Sequence, residues 1–278
     1  MLTTDDHRRD SAGLRYVYPV VSRRAGGVSI GINLNPNNAC NWACVYCQVE
    51  NLTRGGPPPL DLELLRRELS GFLDDALYGD FMQRAVPQEA RRLIDIAFSG
   101  NGEPTSAPEF ADAVACVGEV LQQKAPQPPL KLTLITNGSL VHRPEVQSGL
   151  RQLGALGGEA WFKLDRAEAD DIAKINGVPM TPDKALRNLR LCGELLPTWV
   201  QTCWFAMDGA APSAQAEAAY LALLEAAADR VVGVHLYGLA RPSLQPAAGR
   251  LQRLSADALQ AFAERIQKET GIRVNVAP

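Results

Sequence analysis

The chain of 278 residues has neither an excess of basic residues nor a long apolar run. It carries 28 Lys and Arg against 31 Asp and Glu, so it lacks the basic surplus that is typical of a general nucleic-acid-binding surface. No apolar run approaches the roughly 20 residues that span a bilayer. The polar first ten residues lack the apolar core of a signal peptide. We therefore expect a cytoplasmic protein with no membrane partner.

Disulfides are rare in the reduced cytosol, so the six cysteines need another explanation. Cys40, Cys44 and Cys47 lie close together on a polar segment that directly follows a predicted strand. Three thiolates on a [4Fe–4S] cubane leave one iron without a protein ligand, and that iron can bind a small molecule. The alternatives are three buried structural cysteines, or a zinc site completed by a distant fourth ligand.

Short strand-like segments alternate with helical patterns along the chain. Strands are predicted at 28–34, 93–98, 132–136, 160–164, 200–206 and 231–236. Helices are predicted at 62–73, 110–122, 145–156, 182–195, 214–228 and 255–268, the last with Ser255 as N-cap. This alternation predicts parallel strands joined by right-handed crossovers. The predicted fold class is therefore α/β, a partial (β/α)6 barrel with its chemistry at the carboxyl ends of the strands.

The predicted barrel core covers residues 28–242. Residues 1–27 are expected to form an N-terminal extension or an edge strand, and the candidate strand is 17–21. Pro19 argues against a central position there, because proline has no N–H to donate to a ladder. Residues 243–278 are expected to form a C-terminal helix and a tail.

The C-x3-C-x2-C spacing resembles the signature of the radical S-adenosylmethionine (SAM) superfamily. Tyr46 fills the aromatic position usual just before the last cysteine. The resemblance implies a [4Fe–4S] cluster held by Cys40, Cys44 and Cys47, whose unique iron chelates the amino and carboxylate groups of SAM. It also implies that the cluster cleaves SAM to a 5′-deoxyadenosyl radical, which abstracts hydrogen from a substrate. The implied partners are SAM and a reducing electron donor such as flavodoxin or ferredoxin.

A second segment, 98–105, ends the second predicted strand and resembles the Gly-Gly-Glu-Pro motif that holds the SAM amino group. The cofactor-binding residues implied here are Gly100, Asn101, Gly102, Glu103 and Pro104. Asn101 replaces the first glycine, and Asn tolerates positive φ better than most residues, so we expect the turn to survive. The Glu103 carboxylate suits an ammonium group. A simple strand-ending turn is the alternative.

The third and fourth predicted strands also end in polar residues. In the family, the strand end at Thr136 and Asn137 lies beside the ribose and carboxylate of SAM, and an Asn side chain can both donate and accept. An Asn-Gly turn is the alternative. Lys163 and Asp165 are two residues apart and share one face. The resemblance places such a pair near SAM or substrate, so both are candidate catalytic residues; a structural ion pair or a solvated strand end is the alternative.

The later strands carry weaker signals. Tyr237 and Arg241 follow the sixth strand, where the resemblance implies that they border the adenine and the substrate mouth. Tyr237 would stack and Arg241 would hold an anion. Cys203 would donate a hydrogen atom if its face of the fifth strand is inward, and is otherwise buried and inert.

Within the superfamily, the segment 35–38, the Ser-Gly-Asn-Gly-Glu-Pro form and the Lys-Leu-Asp segment resemble the group related to wyosine-base synthases. These enzymes remodel a modified guanine in transfer RNA, so a tRNA base is the leading substrate hypothesis, beside peptides, small molecules and protein activation. A non-catalytic iron–sulfur or zinc sensor is the alternative class. Wyosine synthases carry a second cluster on upstream cysteines, but residues 1–39 here contain no cysteine. We therefore expect one cluster.

Overall fold

The computed structural model describes Leu2, residues 12–22 and residues 26–277. The rest of the predicted N-terminal extension lies outside the described residues. The chain forms two compact units. Unit 1 comprises Met1–Asn41, Gly55–Ile135 and Arg143–Glu159, and unit 2 comprises Trp42–Arg54, Thr136–His142 and Ala160–Pro278.

Strands and helices alternate through most of the described chain. The strands are β1 (Val17–Ser22), β2 (Gly27–Asn33), β3 (Ala39–Cys40), β4 (Thr53–Arg54), β5 (Leu93–Ser99), β6 (Lys131–Thr136), β7 (Glu159–Lys163), β8 (Thr198–Cys203), β9 (Ala206–Met207), β10 (Gly233–Tyr237), β11 (Leu251–Gln252) and β12 (Val274–Ala277). The α-helices are α1 (Leu62–Tyr78), α2 (Phe81–Ala85), α3 (Phe110–Lys124), α4 (Pro144–Ala155), α5 (Ala169–Asn176), α6 (Pro182–Leu195), α7 (Ala214–Ala226) and α8 (Ala256–Thr270).

In unit 1 the strand order is β1-β2-β5-β6. β2, β5 and β6 run parallel, whereas β1 is antiparallel to β2, with Pro19 opposite Ile30. The Glu68 carboxylate on α1 accepts hydrogen bonds from the N–H groups of Arg15, Tyr16 and Val17, which anchors the start of β1. The predicted edge strand is thus present, and it packs against a buried β2.

In unit 2 the strand order is β7-β8-β10-β12, with every pair parallel. β12 corrects the sequence-based prediction, which left its residues as a tail after the last helix. Its four residues are half-buried or exposed, so the sequence shows little apolar signal there. β12 is specified by its pairing with β10, where Val274 lies opposite Val234.

All six predicted strands and all six predicted helices are present, with ends that move by at most a few residues. Ser255 caps α8 as predicted, because its side chain accepts a hydrogen bond from the N–H of Ala258. The prediction missed α5, whose eight residues are too few for a clear helical period. Among the described helices, none has the length and apolar character needed to cross a bilayer.

Candidate active site

The predicted site residues fall into both units. Cys40 and the loop that carries Gly100, Glu103 and their neighbours belong to unit 1, and the other candidates belong to unit 2.

The cysteine loop of unit 2 is held on one side by the C-terminal end of α5. The N–H groups of Ala43 and Val45 donate to the carbonyls of Asn176 and Ile175, at 3.0 and 2.9 Å. Gly177 follows α5 with φ +67°, and a Cβ at this position would lie 2.8 Å from the Ala43 carbonyl oxygen. Glycine is therefore required both for the left-handed turn and for the close approach.

The residues after β10 hold the cysteine loop on a second side. Ser243 Oγ donates to the Val45 carbonyl at 2.7 Å, and the Leu244 N–H donates to the Cys47 carbonyl at 3.0 Å. The Gln245 side-chain amide also donates to the Cys47 carbonyl, at 3.2 Å. The main chain around Cys47 is therefore fixed, although no sequence pattern singled out the residues that fix it.

Cys44 and Cys47 lie on one turn, in which the Cys47 N–H donates to the Cys44 carbonyl at 3.0 Å. Cys44 is buried, and burial raises the pKa of its thiol to about 12. The Asn176 side-chain amide donates to Cys44 Sγ at 3.4 Å, which works against that shift. A thiolate here therefore needs a positive partner, and a bound iron is such a partner.

Lys163 and Asp165, predicted to share a face, are brought together by Tyr46. Lys163 Nζ donates to the Tyr46 hydroxyl at 2.7 Å, and that hydroxyl donates to Asp165 Oδ2 at 2.5 Å. Burial opposes the charge on Lys163, but Tyr237 and Asp165 outweigh it and hold its pKa well above the usual range. Burial, assisted by Asp165, raises the pKa of Tyr46. The arrangement is a linked pair of opposite charges bridged by one hydroxyl.

Two residues that sequence reasoning missed complete this network. Asn176 donates to Asp165 Oδ2 at 2.7 Å. Arg166 is buried, donates to the carbonyls of Asp165 and Cys203 at 2.6 and 3.3 Å, and lies over the Trp204 ring at 4.3 Å. In the sequence, the one signal for Arg166 is its position next to Asp165 at the end of the fourth predicted strand.

Cys203 is buried at the end of β8 and packs with Ile175, Phe205 and Met207, next to Tyr46. Its N–H donates to Asp165 Oδ1 at 2.9 Å, so its backbone helps to orient that carboxylate. Burial raises the pKa of its thiol beyond the ordinary range. These surroundings are those of a buried structural cysteine.

In unit 1, the loop after β5 is braced by asparagines after β2. Asn33 Oδ1 accepts hydrogen bonds from the N–H groups of Asn35 and Asn101, each at 3.1 Å. Asn101 Nδ2 donates to Asn38 Oδ1 at 2.7 Å. Asn101 does not need its tolerance of positive φ here, because the positive-φ residue of this turn is Gly100, with φ +131°. A Cβ on Gly100 would overlap Asn33 Oδ1, so the brace itself requires glycine there.

Glu103 is almost fully buried, and its carboxylate caps the short 3₁₀ turn that begins at Pro104. Its Oε1 accepts hydrogen bonds from the N–H and the hydroxyl of Thr105, at 3.1 and 2.6 Å. Gly102 lies against the Ala39 carbonyl and Asn35, where a Cβ would overlap backbone. The motif therefore has a definite role in shaping the loop, whichever ligand it binds.

The strand end at Thr136 and Asn137 is also a tight, self-bonded turn. Thr136 Oγ1 accepts from the Gly138 N–H at 3.0 Å, and Asn137 Oδ1 accepts from the N–H and hydroxyl of Ser139 at 3.0 and 2.7 Å. Asn188 on α6 donates to the Gly138 carbonyl at 2.9 Å. The turn is pre-organised before any ligand binds.

The last two candidates are Tyr237, the final residue of β10, and Arg241, which follows that strand. Tyr237 packs against the apolar cluster that contains Cys203 and Phe205. Arg241 lies near the cysteine loop, with Nη1 3.4 Å from Gln48 Oε1. Arg241 thus lies near the cysteine loop, and its place beside the adenine and the substrate mouth stays a prediction.

Among the described residues, no three His, Cys, Asp or Glu side chains converge on a position for a single metal ion. A cubane does not require such convergence, because each thiolate binds a different iron. The loop carries Cys44 and Cys47 on a fixed main chain, with an N–H···S donor to Cys44, and these groups fit thiolate ligation of an iron–sulfur cluster.

No family model matches the chain. Two Helicobacter pylori proteins named UPF0026 protein are similar, with 28% identity over 169 residues in strain 26695 and 26% over 165 residues in strain J99. Each match covers 56% of this chain and 48% of the relative, so it spans about half the length of these curated relatives.

Solved structures define the fold, which is that of the radical SAM enzymes. The structure of TYW1 with a lysine–pyruvate adduct matches 96% of this chain and 80% of its own, at 14% identity and a TM-score of 0.62. A radical SAM methyltransferase from Sphaerobacter thermophilus matches 94% of this chain and 68% of its own, at 17% identity and a TM-score of 0.59. The structure of anSMEcpe with bound AdoMet matches 89% of this chain and 63% of its own, at 16% identity and a TM-score of 0.55. The predicted α/β fold of the radical SAM type is confirmed.

Proposed function

We propose that this chain is a radical SAM enzyme that binds one [4Fe–4S] cluster through Cys40, Cys44 and Cys47. The observation that carries the proposal is the fixed cysteine loop, whose Cys44 thiol is buried and receives a side-chain N–H. A radical SAM fold and the C-x3-C-x2-C spacing support the same assignment.

When bound, the cluster and SAM supply reductive cleavage of the sulfonium to a 5′-deoxyadenosyl radical. The chain's own residues bind and orient. Glu103 and Gly102 shape the loop that would receive the SAM amino group, and Asn137 presents a pre-formed turn to the ribose or carboxylate. A pre-formed turn loses less conformational entropy when it binds its ligand.

Lys163 and Asp165 are proposed to bind the polar part of SAM or of the substrate. Their link through the Tyr46 hydroxyl leaves the pair neutral overall but strongly polar. In a site that excludes water, such fixed dipoles orient a polar ligand more strongly than they would in solvent.

A non-catalytic iron–sulfur or zinc sensor is the competing class, and SAM separates the two. The anaerobically reconstituted, reduced protein should give a paramagnetic signal that changes shape when SAM is added, because SAM binds the unique iron. A sensor has no SAM site, so an unchanged signal at saturating SAM would reject the proposal. Zinc in place of iron and sulfide would reject it as well.

We propose a tRNA base as the substrate. The similarity to TYW1 in fold and the polar form of the 99–105 loop support this choice. The net charge of −3 means that an RNA would be held by a local patch rather than by a generally basic surface. Comparing the tRNA nucleosides of a deletion strain with those of its parent tests it. Loss of one modified nucleoside is expected, and identical profiles would exclude RNA as the substrate.

A further inference from the structure

Asn176 is the last residue of α5, far in the sequence from the cysteine motif at 40–47. It is 1% exposed. Its side-chain nitrogen lies 2.7 Å from Asp165 Oδ2 and 3.4 Å from Cys44 Sγ. The inference that follows rests on the proposed function, since it concerns a cluster bound by Cys44.

The orientation of this amide is determined by chemistry. An ionised carboxylate only accepts hydrogen bonds, so the amide nitrogen, and not the oxygen, must face Asp165. Asp165 is itself fixed by the Tyr46 hydroxyl at 2.5 Å and the Cys203 N–H at 2.9 Å. With one amide hydrogen directed to Asp165, the second is directed to the Cys44 sulfur.

The main chain of Asn176 is also held in place by hydrogen bonding. Its carbonyl accepts the Ala43 N–H, one residue before Cys44, and Gly177 ends the helix in a turn that only glycine adopts readily. The same residue thus contacts the cysteine loop through both its main chain and its side chain. In a buried site a hydrogen bond to a charged sulfur is stronger than it is in water.

We propose that Asn176 is a positioning residue of the iron–sulfur site, which sets the reduction potential of the cluster through its N–H···S bond to Cys44. Reduction adds negative charge to the cluster and its thiolates, and a hydrogen-bond donor stabilises that charge. Hydrogen bonds to the sulfurs are one of the factors that set such potentials. Asn176 therefore favours the reduced cluster.

The test is a redox titration of the reconstituted full chain without SAM, monitored by electron paramagnetic resonance. Asn176→Ala should retain about four irons per chain. Its equilibrium constant for one-electron reduction should fall by up to about tenfold, which lowers the reduction potential by up to about 59 mV. Thr198→Val is the matched control, because the buried Thr198 hydroxyl also donates to a sulfur at 3.4 Å, but to Cys192 outside the motif. Its potential should equal that of the parent.

An unchanged potential in Asn176→Ala with a full cluster would overturn this inference and leave the proposed function standing. If that variant loses its cluster, the parent protein decides the question by resonance Raman. Exchange into deuterated water should shift an iron–thiolate stretch, and the absence of any shift would overturn the inference. A parent protein that assembles no cluster would overturn both the inference and the proposed function.

Discussion

At the residue scale, Gly102 of the 99–105 loop is required by its close approach to backbone. Gly102 lies against the Ala39 carbonyl, and neither backbone segment can move without disturbing the asparagine brace. Gly102→Ala should lower the free energy of unfolding by about 1–3 kcal/mol, as overpacking does elsewhere. Urea unfolding measures this change.

Gly71→Ala is the control for that experiment. Gly71 lies within α1, and nothing would contact a Cβ there. Alanine at this position should raise the unfolding free energy by about 0.5–1 kcal/mol, because it favours the helix. Equal effects of the two substitutions would contradict the close approach described at Gly102.

Glu103 and Asn137 carry the prediction about SAM. Each side chain holds its own turn, so Glu103→Ala and Asn137→Ala should both loosen the binding surface and remove a polar ligand. Loss of one charge-assisted hydrogen bond costs about 1.5–3 kcal/mol, or about 10- to 150-fold in affinity. Anaerobic calorimetry with reconstituted protein measures the affinity. Glu225→Ala, on an exposed position of α7, should bind SAM as the parent does.

At the element scale, α5 connects the fold to the cysteine loop. Gly177→Ala would place a Cβ 2.8 Å from the Ala43 carbonyl, so it should displace the loop and lower the iron bound per chain. Gly271→Ala is the control. Gly271 follows α8 with φ +69°, close to the +67° of Gly177, and a Cβ there would meet no neighbouring atom. Both should cost about 1–2 kcal/mol in unfolding free energy from the left-handed conformation, but only Gly177→Ala should lose iron. Equal iron contents would show that α5 does not hold the loop.

The elements predicted from the sequence are those with a clear pattern of apolar residues. The elements and residues that were missed depend on contacts with segments distant in the sequence. β2 is buried along its whole length and reads as a strand. β12 has little apolar signal and exists because β10 offers it an edge. Asn176 and Arg166 escaped notice for the same reason, since their roles depend on residues distant in sequence. The cysteine spacing and the Lys163–Asp165 pair were found because each is local.

At the scale of the whole molecule, the cysteines limit the number of clusters. The structure places Cys116 in α3, Cys192 in α6 and Cys203 in β8, the three elements in which the sequence placed them. We predict about four irons per chain after full anaerobic reconstitution. A reproducible value near eight, with a second paramagnetic signal that does not respond to SAM, would contradict this prediction and favour a wyosine-type mechanism.

The central claim is that this fold and cysteine loop cleave SAM, and release of 5′-deoxyadenosine measures that directly. Reconstituted protein incubated with SAM and a strong reductant, without oxygen, should form 5′-deoxyadenosine. Cys44→Ala should form none, because two thiolates remain where three are needed. Cys192→Ala, which alters a buried cysteine outside the motif, should match the parent. No 5′-deoxyadenosine from a parent protein that contains four irons, or equal amounts from the parent and Cys44→Ala, would contradict the account.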